Sequence, residues 1–166
     1  MSDWTIRPTE ERDREAIRAV ETAAFGGMGE AMLVDSLVAA NDVILELVAE
    51  RDGGIIGHVL FSRIFVDADG GRFSGVALAP AAVEPQWQGK GVGRAMIADA
   101  HARLEAMGER LSVVLGNPDY YGRFGYTHER ATQFSSIYQC DALQALAWGD
   151  APRTGRLVYA TSFDLL

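Results

Sequence analysis

The stretch Gln88-Gly89-Lys90-Gly91-Val92-Gly93-Arg94 decides the fold of this 166-residue chain. An apolar, strand-like run ends at Val83, just before it, and a strong helical pattern begins where it ends. Its three glycines let the backbone turn tightly, with no Cβ to keep a ligand away from the peptide N–H groups. The first turn of a helix has unpaired N–H donors and the positive end of a dipole. Strand, glycine turn and helix N-terminus together predict a phosphate or pyrophosphate site.

Spacing separates the phosphate loops that share this general form. A Walker A loop requires Gly-Lys-Ser/Thr, whereas Lys90 is followed by Gly91. A dinucleotide fingerprint requires a third glycine where Arg94 stands, near the start of a βαβ unit. The remaining pattern, Gln/Arg-x-x-Gly-x-Gly/Ala, is met by Gln88, Gly91 and Gly93, and it resembles the acetyl-CoA pyrophosphate loop of the GNAT-type N-acetyltransferases. A glycine-rich turn without a ligand is the alternative.

A second motif supports this resemblance. The stretch Tyr121-Gly122-Arg123-Phe124-Gly125-Tyr126 resembles the Tyr-x-x-x-Gly-Phe/Tyr element that follows the fifth strand in GNAT enzymes. The family usually places an asparagine further upstream, whereas Asn117 precedes Tyr121 by only four residues, so the intervening helix is expected to be short. The two motifs stand in the order of the family, and the inferred elements match along the whole chain.

Hydrophobic periodicity predicts the elements that precede the loop. Residues 4–7 form a short first strand, Thr9 caps a helix that ends at Phe25, and a second helix covers residues 29–40. Three long strands separated by two tight glycine turns follow over residues 43–50, 55–67 and 72–83. Short turns join antiparallel neighbours, so this meander argues against the alternating βαβ order of a dinucleotide-binding domain.

The part of the chain that follows the loop predicts a parallel crossover. The helix ends at Gly108, a strand covers residues 110–115, and a short helical turn reaches Phe124. This order places a ligand at the carboxyl ends of two parallel strands, where the glycine loop also lies. Two closing strands are expected over residues 133–138 and 157–163, joined by an irregular segment.

The resemblance implies an α/β (α+β) fold in which residues 1–166 form a single GNAT-like domain. Its mixed, mostly antiparallel central sheet would splay after the fourth strand and carry helices on its flanks. The closing strands could pair across a homodimer.

Composition and charge exclude several classes of protein. Lys+Arg 15 against Asp+Glu 23 gives a formal charge of −8, the wrong sign for a nucleic-acid surface. The single cysteine, Cys140, excludes an internal disulfide. The N-terminus lacks the basic start and apolar core of a signal peptide, and no apolar run approaches the ~18 residues that span a bilayer, so a cytoplasmic enzyme without membrane partners is expected. The histidines lack companion ligands at metal spacing, so no metal is expected.

The resemblance implies acetyl-CoA as the cofactor and direct transfer of its acetyl group to a primary amine. The glycine loop would hold the pyrophosphate, and the amide-rich pantetheine arm would pair with the edge of the preceding strand. A backbone N–H near the end of that strand would polarise the thioester carbonyl. The residues expected to contact the cofactor are Ala82, Val83, Gln88, Gly89, Lys90, Gly91, Val92, Gly93, Arg94 and Asn117.

Two residues are candidates for the proton transfers. The resemblance assigns protonation of the leaving thiolate to Tyr121, with Tyr120 as its substitute if the register shifts by one; packing under the helix is the alternative role for Tyr121. An amine of pKa ~10.4 must first lose its proton, at a cost of about 4–5 kcal/mol at pH 7. Glu84 is the carboxylate closest to the expected site and is the candidate base, directly or through water; a solvated loop carboxylate is its alternative role.

The acceptor is expected to be a cationic amine, either a small molecule or a peptide. The two helices expected to wall its pocket carry Glu21, Glu30 and Asp35 without a lysine, and such a field draws cations. Two alternative hypotheses assign the chain to other classes of protein, a non-catalytic acyl-CoA-binding module and a nucleotide-binding domain. The retained tyrosine argues against the first, and the meander argues against the second.

Overall fold

One eight-stranded sheet organises residues 3–165, which are the residues that the computed structural model describes. Its strands, in chain order, are β1 Thr5–Pro8, β2 Val43–Arg51, β3 Gly54–Ala68, β4 Gly71–Val83, β5 Leu111–Leu115, β6 Phe134–Ser135, β7 Leu143–Ala147 and β8 Gly155–Val158. The helices are α1 Arg14–Phe25, α2 Gly29–Ala39, α3 Val92–Ala106 and α4 Pro118–Tyr121. Short 3-10 turns cover Glu11–Asp13, Pro85–Trp87, Gly122–Phe124, Glu129–Ala131 and Thr161–Leu165.

The strand order is β1-β2-β3-β4-β5-β7, and this confirms the predicted meander and crossover. Neighbours from β1 to β4 are antiparallel, because tight turns join them. The β4–β5 pair is parallel, since α3 carries the chain back across the sheet. Strand β7 then pairs antiparallel with β5, while β8 pairs with the far half of β3 and with β6.

The sheet opens between β4 and β5, as the resemblance predicted. The two strands pair only over Val76–Leu78 of β4, although β4 continues to Val83. The last residues of β4 are therefore paired with β3 alone. A register shift in the β3–β4 ladder, between Val59 and Phe61, bends the strand where the fork begins. We call this opening between β4 and β5 the fork.

Helices cover both faces of the sheet. Helix α3 packs on one face through Met96, Ile97, Ala100 and Leu104, whose helical spacing places them on one buried stripe. Helices α1 and α2 cover the opposite face through a second cluster that includes Ile17, Leu33 and Leu37. The glycine loop lies at the α3 face, and the α1–α2 pair lies on the other.

Strand β7 corrects the prediction of an irregular segment. Its sequence, Leu-Gln-Ala-Leu-Ala, has weak strand propensity, and it forms a strand because it completes the open edge of β5. Gln144 is buried there, and its amide donates to the Gly116 and Ala142 carbonyls at 3.1 and 3.2 Å. Tertiary pairing therefore overrides local preference in this segment.

The closing strands and the first helix cap also differ from the predictions. Strand β6 is only two residues long, and the chain after β8 forms the Thr161–Leu165 turn where a strand was expected. Thr9 does not cap a helix, because its hydroxyl donates to Glu46 at 2.9 Å. The backbone N–H of Glu10 instead donates to the Asp13 carboxylate at 2.7 Å, and this bond closes the Glu11–Asp13 turn.

Candidate active site

The glycine loop forms the turn that the sequence predicts between β4 and α3. Gly89 and Gly91 have φ values of +74° and +91°, in the left-handed region that L side chains avoid. A Cβ added at either position would meet nothing within 4 Å, so the backbone there faces open space. Gly91 is also the N-cap of α3, and the free N–H groups of that 15-residue helix begin beside it. The loop is therefore built to receive an anion.

A cavity of about 480 Å³ lies against this loop and collects most of the predicted cofactor residues. Its positive charge comes from Arg94, which was predicted, and from Arg123, which was not. The lining residues are Val83, Trp87, Gln88, Gly89, Gly91, Val92, Gly93, Arg94, Tyr120 and Arg123. Glycine backbone, a helix N-terminus and two guanidinium groups fit a pyrophosphate.

Three predicted cofactor residues do not line this cavity: Ala82 lines the smaller cavity described next, and Lys90 and Asn117 line neither. The ammonium of Lys90 lies 5.9 Å from the centroid of the Trp87 ring, on which the Arg51 guanidinium also stacks at 4.5 Å. The side-chain oxygen of Asn117 accepts from the backbone N–H of Asp119 at 2.9 Å and caps α4. Lys90 thus packs on an aromatic ring, and Asn117 holds the start of a helix.

A smaller cavity of about 120 Å³ adjoins the first one on the side of β4 and Tyr121, and we call it the inner cavity. The two share Val83, Gly93 and Tyr120, and the inner one adds Ala82 and Tyr121. Gly93 marks the junction, since a Cβ added there would come within 2.7 Å of the Tyr120 hydroxyl oxygen. The two cavities therefore adjoin at Gly93, and the inner one lies along the end of β4 beside the two tyrosines.

At the end of β4, one residue directs its backbone N–H and carbonyl toward the fork. The N–H of Glu84 donates to the Ile56 carbonyl of β3 at 2.9 Å, and neighbouring residues on a strand alternate in direction. The N–H and carbonyl of Val83 therefore face away from β3. The Gln88 side chain agrees with this, because its amide donates to the Val83 carbonyl at 3.0 Å. Alternation directs the N–H of Ala82 toward β3, so Val83 is the residue with a donor at the open edge.

The two tyrosines occupy different depths. Burial raises the pKa of Tyr121 to about 12, and the ring packs edge-on against Tyr126 with centroids 6.0 Å apart. Burial also raises the pKa of Tyr120, while the nearby Arg123 lowers it. Tyr120 lines both cavities, whereas Tyr121 lines only the inner one. Neither hydroxyl hydrogen-bonds to another residue within residues 3–165, so both are available to a ligand.

Glu84 stands apart from the tyrosines. It follows Val83 directly and is half-buried, and its carboxylate accepts from the Gln86 amide at 3.1 Å. It lines neither of the two cavities. A proton acceptor at Glu84 would therefore reach the fork only through water.

A buried ionic cluster, which the sequence analysis missed, lies beneath α1. Nδ1 of His58 donates to Glu21 at 2.6 Å, and Nε2 donates to Glu46 at 2.7 Å. Arg14 also pairs with Glu46. Arg14 and Glu21 come from α1, Glu46 from β2 and His58 from β3. The only signal in the sequence is the helical or alternating spacing that places each residue on the buried face of its element.

This cluster changes the electrostatics of the acceptor side. Glu21 is fully buried and engaged by His58, and Asp35 pairs with Arg18 at 2.8 Å. Glu30 is half-buried and has no ion pair with another described residue. Only one of the three predicted carboxylates is therefore available to attract a cation.

No group of three or more His, Cys, Asp or Glu side chains within residues 3–165 is arranged to hold a metal ion. Within the same residues, no helix is both long and apolar enough to cross a membrane.

Comparisons with known proteins agree with this geometry. The family model described as an acetyltransferase (GNAT) domain matches residues 5–128. The N-acetyltransferase YjhQ of Escherichia coli is 38% identical over 125 residues, which are 74% of this chain and 69% of YjhQ. A GNAT family acetyltransferase of Brucella melitensis, solved with acetyl-CoA, is 34% identical with a TM-score of 0.83, over 97% of this chain and 98% of that one. The N-acetyltransferase YhbS of E. coli, solved with CoA, is 29% identical with a TM-score of 0.88, over 99% and 93% of the two chains.

Proposed function

Because the chain belongs to the GNAT family of acetyltransferases, with acetyl-CoA as the acetyl donor, we propose that residues 1–166 form one domain that acetylates a primary amine directly. The observation that carries this is the pair of adjoining cavities, which share Val83, Gly93 and Tyr120 and together extend from the glycine loop to Tyr121. The membership of β7 and β8 in the same sheet supports the single domain. Release of coenzyme A in the presence of an amine tests the activity.

The residues around the larger cavity would hold the cofactor. The N–H groups of the loop from Gln88 to Arg94 would bind the pyrophosphate, and the guanidinium groups of Arg94 and Arg123 would neutralise its charge. The edge of β4 that is unpaired on the β5 side can pair with the amides of the pantetheine arm, while the Val83 N–H is left for the thioester carbonyl. The cofactor supplies the acetyl group as an activated thioester.

Valine in place of Gly93 is expected to raise the Kd for acetyl-CoA at least about tenfold, equivalent to ~1.4 kcal/mol. The added side chain would stand at the junction of the two cavities, where a Cβ already comes within 2.7 Å of Tyr120. Calorimetry measures the affinity directly. Ala98→Val is the matched control, because it adds the same β-branched residue on the exposed side of α3. An unchanged Kd in a folded Gly93→Val protein would refute the assignment of the cavity.

The chemistry then needs an oxyanion donor, an acid and a base. The Val83 N–H is preorganised to donate to the carbonyl oxygen on which negative charge develops. The Tyr121 hydroxyl holds a proton at the inner cavity and can give it to a departing thiolate. Glu84 would accept the proton of the amine, since it follows Val83 directly in the chain. The transfer would pass through water, because Glu84 lines neither cavity.

We further propose that the acceptor is cationic. The net charge of −8 supports this proposal. Glu30, which has no ion pair within residues 3–165, also supports it, whereas Glu21 and Asp35 are engaged by His58 and Arg18. A negative field raises the encounter rate of cations, and salt screens it over a Debye length of about 10 Å at 0.1 M.

Cadaverine and 6-aminohexanoate test this proposal, since they share a five-carbon chain and differ in the charge at its far end. We expect a higher kcat/KM for cadaverine at low salt and a narrowing of the difference at high salt. Steady-state rates with acetyl-CoA at two ionic strengths give both values. Equal kcat/KM values for the two amines at low salt would contradict a cationic preference. A kcat/KM for cadaverine that does not change with salt concentration would also contradict it.

A further inference from the structure

A third cavity lies at the fork, and no step described so far uses it. Its volume is about 160 Å³, and it opens between the diverging ends of β4 and β5. Ala79 and Leu115 form its edges on these strands. Tyr138, Tyr159 and Phe163 contribute to its wall from segments after β6 and β8. The cavity is therefore assembled from parts of the chain that lie far apart in sequence.

The lining of this cavity is apolar and aromatic. Among residues 3–165, no charged side chain lines it, and the polar side-chain atoms of its lining are the hydroxyls of Tyr138 and Tyr159. The Tyr159 hydroxyl is engaged by Ser136 at 3.0 Å, and the two tyrosine rings pack edge-to-face with centroids 5.2 Å apart. A charged group placed here would lose its hydration without gaining a counterion, whereas an apolar group would gain from burial.

This third cavity and the inner cavity open from the same stretch of β4. Ala79 borders the third cavity and Ala81 borders the inner cavity, and two residues of chain span at most about 7 Å. A nitrogen placed at the fork can therefore reach the thioester while its substituent points into the cavity. A volume of this size holds an aromatic ring or a short alkyl chain, since a dry cavity of about 150 Å³ accepts benzene.

We propose that the acceptor is a primary amine carried on an apolar body, an aromatic ring or a short alkyl chain, which fills this cavity. The inference rests on the proposed acetyl transfer and narrows the proposed cationic acceptor to one whose single positive charge is the reacting ammonium group. The cavity wall combines both faces of the sheet, because Ala77, Val113 and Leu143 belong to the core cluster on the face opposite α3. Leu78 and Val114 belong to the cluster under α3, the face on which the cofactor loop lies. Leu115, at the lip, is 49% exposed, so a free molecule can enter from outside.

Leu115→Lys and Ile137→Lys form the matched pair of variants that tests this. Leu115 borders the cavity and is half-exposed, so lysine there adds charge at the lip without disturbing the core. Ile137 is 87% exposed, stands next to Tyr138 in the chain, and does not line the cavity, so its replacement controls for added surface charge. The probes are 2-phenylethylamine, hexylamine and cadaverine, and cadaverine carries a second charge where hexylamine ends in a methyl group.

With acetyl-CoA, the wild-type protein is expected to show a kcat/KM at least about tenfold higher for 2-phenylethylamine and hexylamine than for cadaverine. Leu115→Lys should lose at least about tenfold with the two apolar amines while its Kd for acetyl-CoA stays the same, and Ile137→Lys should match wild type. Equal rates for the three amines would overturn the proposal. Preferential use of hexanoyl-CoA over acetyl-CoA would also overturn it, because the cavity would then hold the acyl chain.

A measurement of amine binding distinguishes a wrong cavity assignment from an absence of acetyl transfer. Calorimetry with the protein saturated in coenzyme A should show 2-phenylethylamine binding that Leu115→Lys weakens and Ile137→Lys leaves intact. If no amine is acetylated but this binding pattern holds, the proposed function fails and the cavity assignment stands. If 2-phenylethylamine does not bind, or if both variants bind it equally well, the cavity assignment fails.

Discussion

Replacing Tyr121 with phenylalanine is expected to lower kcat by roughly 10²–10⁴-fold, which is the usual contribution of a general acid. The Kd for acetyl-CoA should change little, because Tyr121 lines only the inner cavity. A loss in kcat with unchanged affinity is the sign of an interaction that acts in the chemical step. Single-turnover rates and calorimetry on the same protein measure the two quantities.

The environment of Tyr121 supports this role. Burial raises its pKa to about 12, above the usual value near 10 for a phenol, because the charged phenolate is poorly solvated there. The same dry surroundings disfavour a departing thiolate and make it a stronger base. Proton transfer from the phenol to the thiolate therefore exchanges one buried anion for another, and the gap between their pKa values stays small enough for transfer.

The raised pKa also fixes the sign of the pH dependence. A proton donor with a pKa of about 12 remains protonated at every pH up to about 10. Deprotonation of Tyr121 should therefore cause no decline in kcat as the pH rises to about 10. Under the same conditions the acceptor amine loses its proton as pH rises, so the rate should increase from pH 7 to 9.

Tyr120→Phe is the control for Tyr121→Phe. The rings are neighbours, with centroids 5.0 Å apart, and both replacements remove one hydroxyl from a half-buried phenol. Tyr120 lines the large cavity as well, so its replacement is expected to alter cofactor affinity more than kcat. If Tyr120→Phe shows the kinetic loss and Tyr121→Phe does not, the acid is Tyr120.

The parts of the site that could be predicted are those with local sequence rules. The glycine loop follows from backbone geometry at Gly89 and Gly91, and the parallel crossover follows from the strand–helix–strand order, whereas the fork was expected from the family resemblance. Two parts depended on tertiary contacts. Arg123 lines the cavity because the Gly122–Phe124 turn lies beside the loop, and β7 forms because β5 has an open edge. Neither contact leaves a periodic signal in the sequence.

The buried cluster around His58 shows the same limit. A histidine within an apolar strand indicates only burial, and both carboxylates that contact it come from other elements, α1 and β2. The sequence placed Glu21 on a helix surface that would attract cations, whereas the structure buries it completely. Charge counted along a chain predicts a field only where the charged groups remain exposed and unpaired.

Replacing His58 with leucine is expected to reduce the free energy of unfolding by about 3–5 kcal/mol, which is the usual cost of removing one partner from a buried ion pair. Two buried carboxylates would remain, and Glu21 already has one oxygen without a hydrogen-bond partner within residues 3–165. Denaturant unfolding monitored by circular dichroism measures the change. His101→Leu is the control, because burial lowers the pKa of His101 to about 4 and its bond to Tyr126 is that of a neutral imidazole. Its loss should cost only about 1 kcal/mol.

The pH dependence of the difference between wild type and His58→Leu distinguishes charge from packing. Although burial opposes ionisation, His58 and Arg14 lower the pKa of Glu46 from 4.5 to about 2, so its contribution is present above pH 4.5 and is lost as pH falls toward 2. Burial acts to lower the pKa of His58, but Glu21 and Glu46 outweigh it, so this contribution is present below 6.5 and is lost as pH rises through the raised value. The difference in unfolding free energy should therefore be largest between about pH 5 and 6.5 and should shrink toward pH 3, where the variant's carboxylates protonate. A difference that stays constant from pH 3 to pH 7 would mean that His58 stabilises the fold through packing alone.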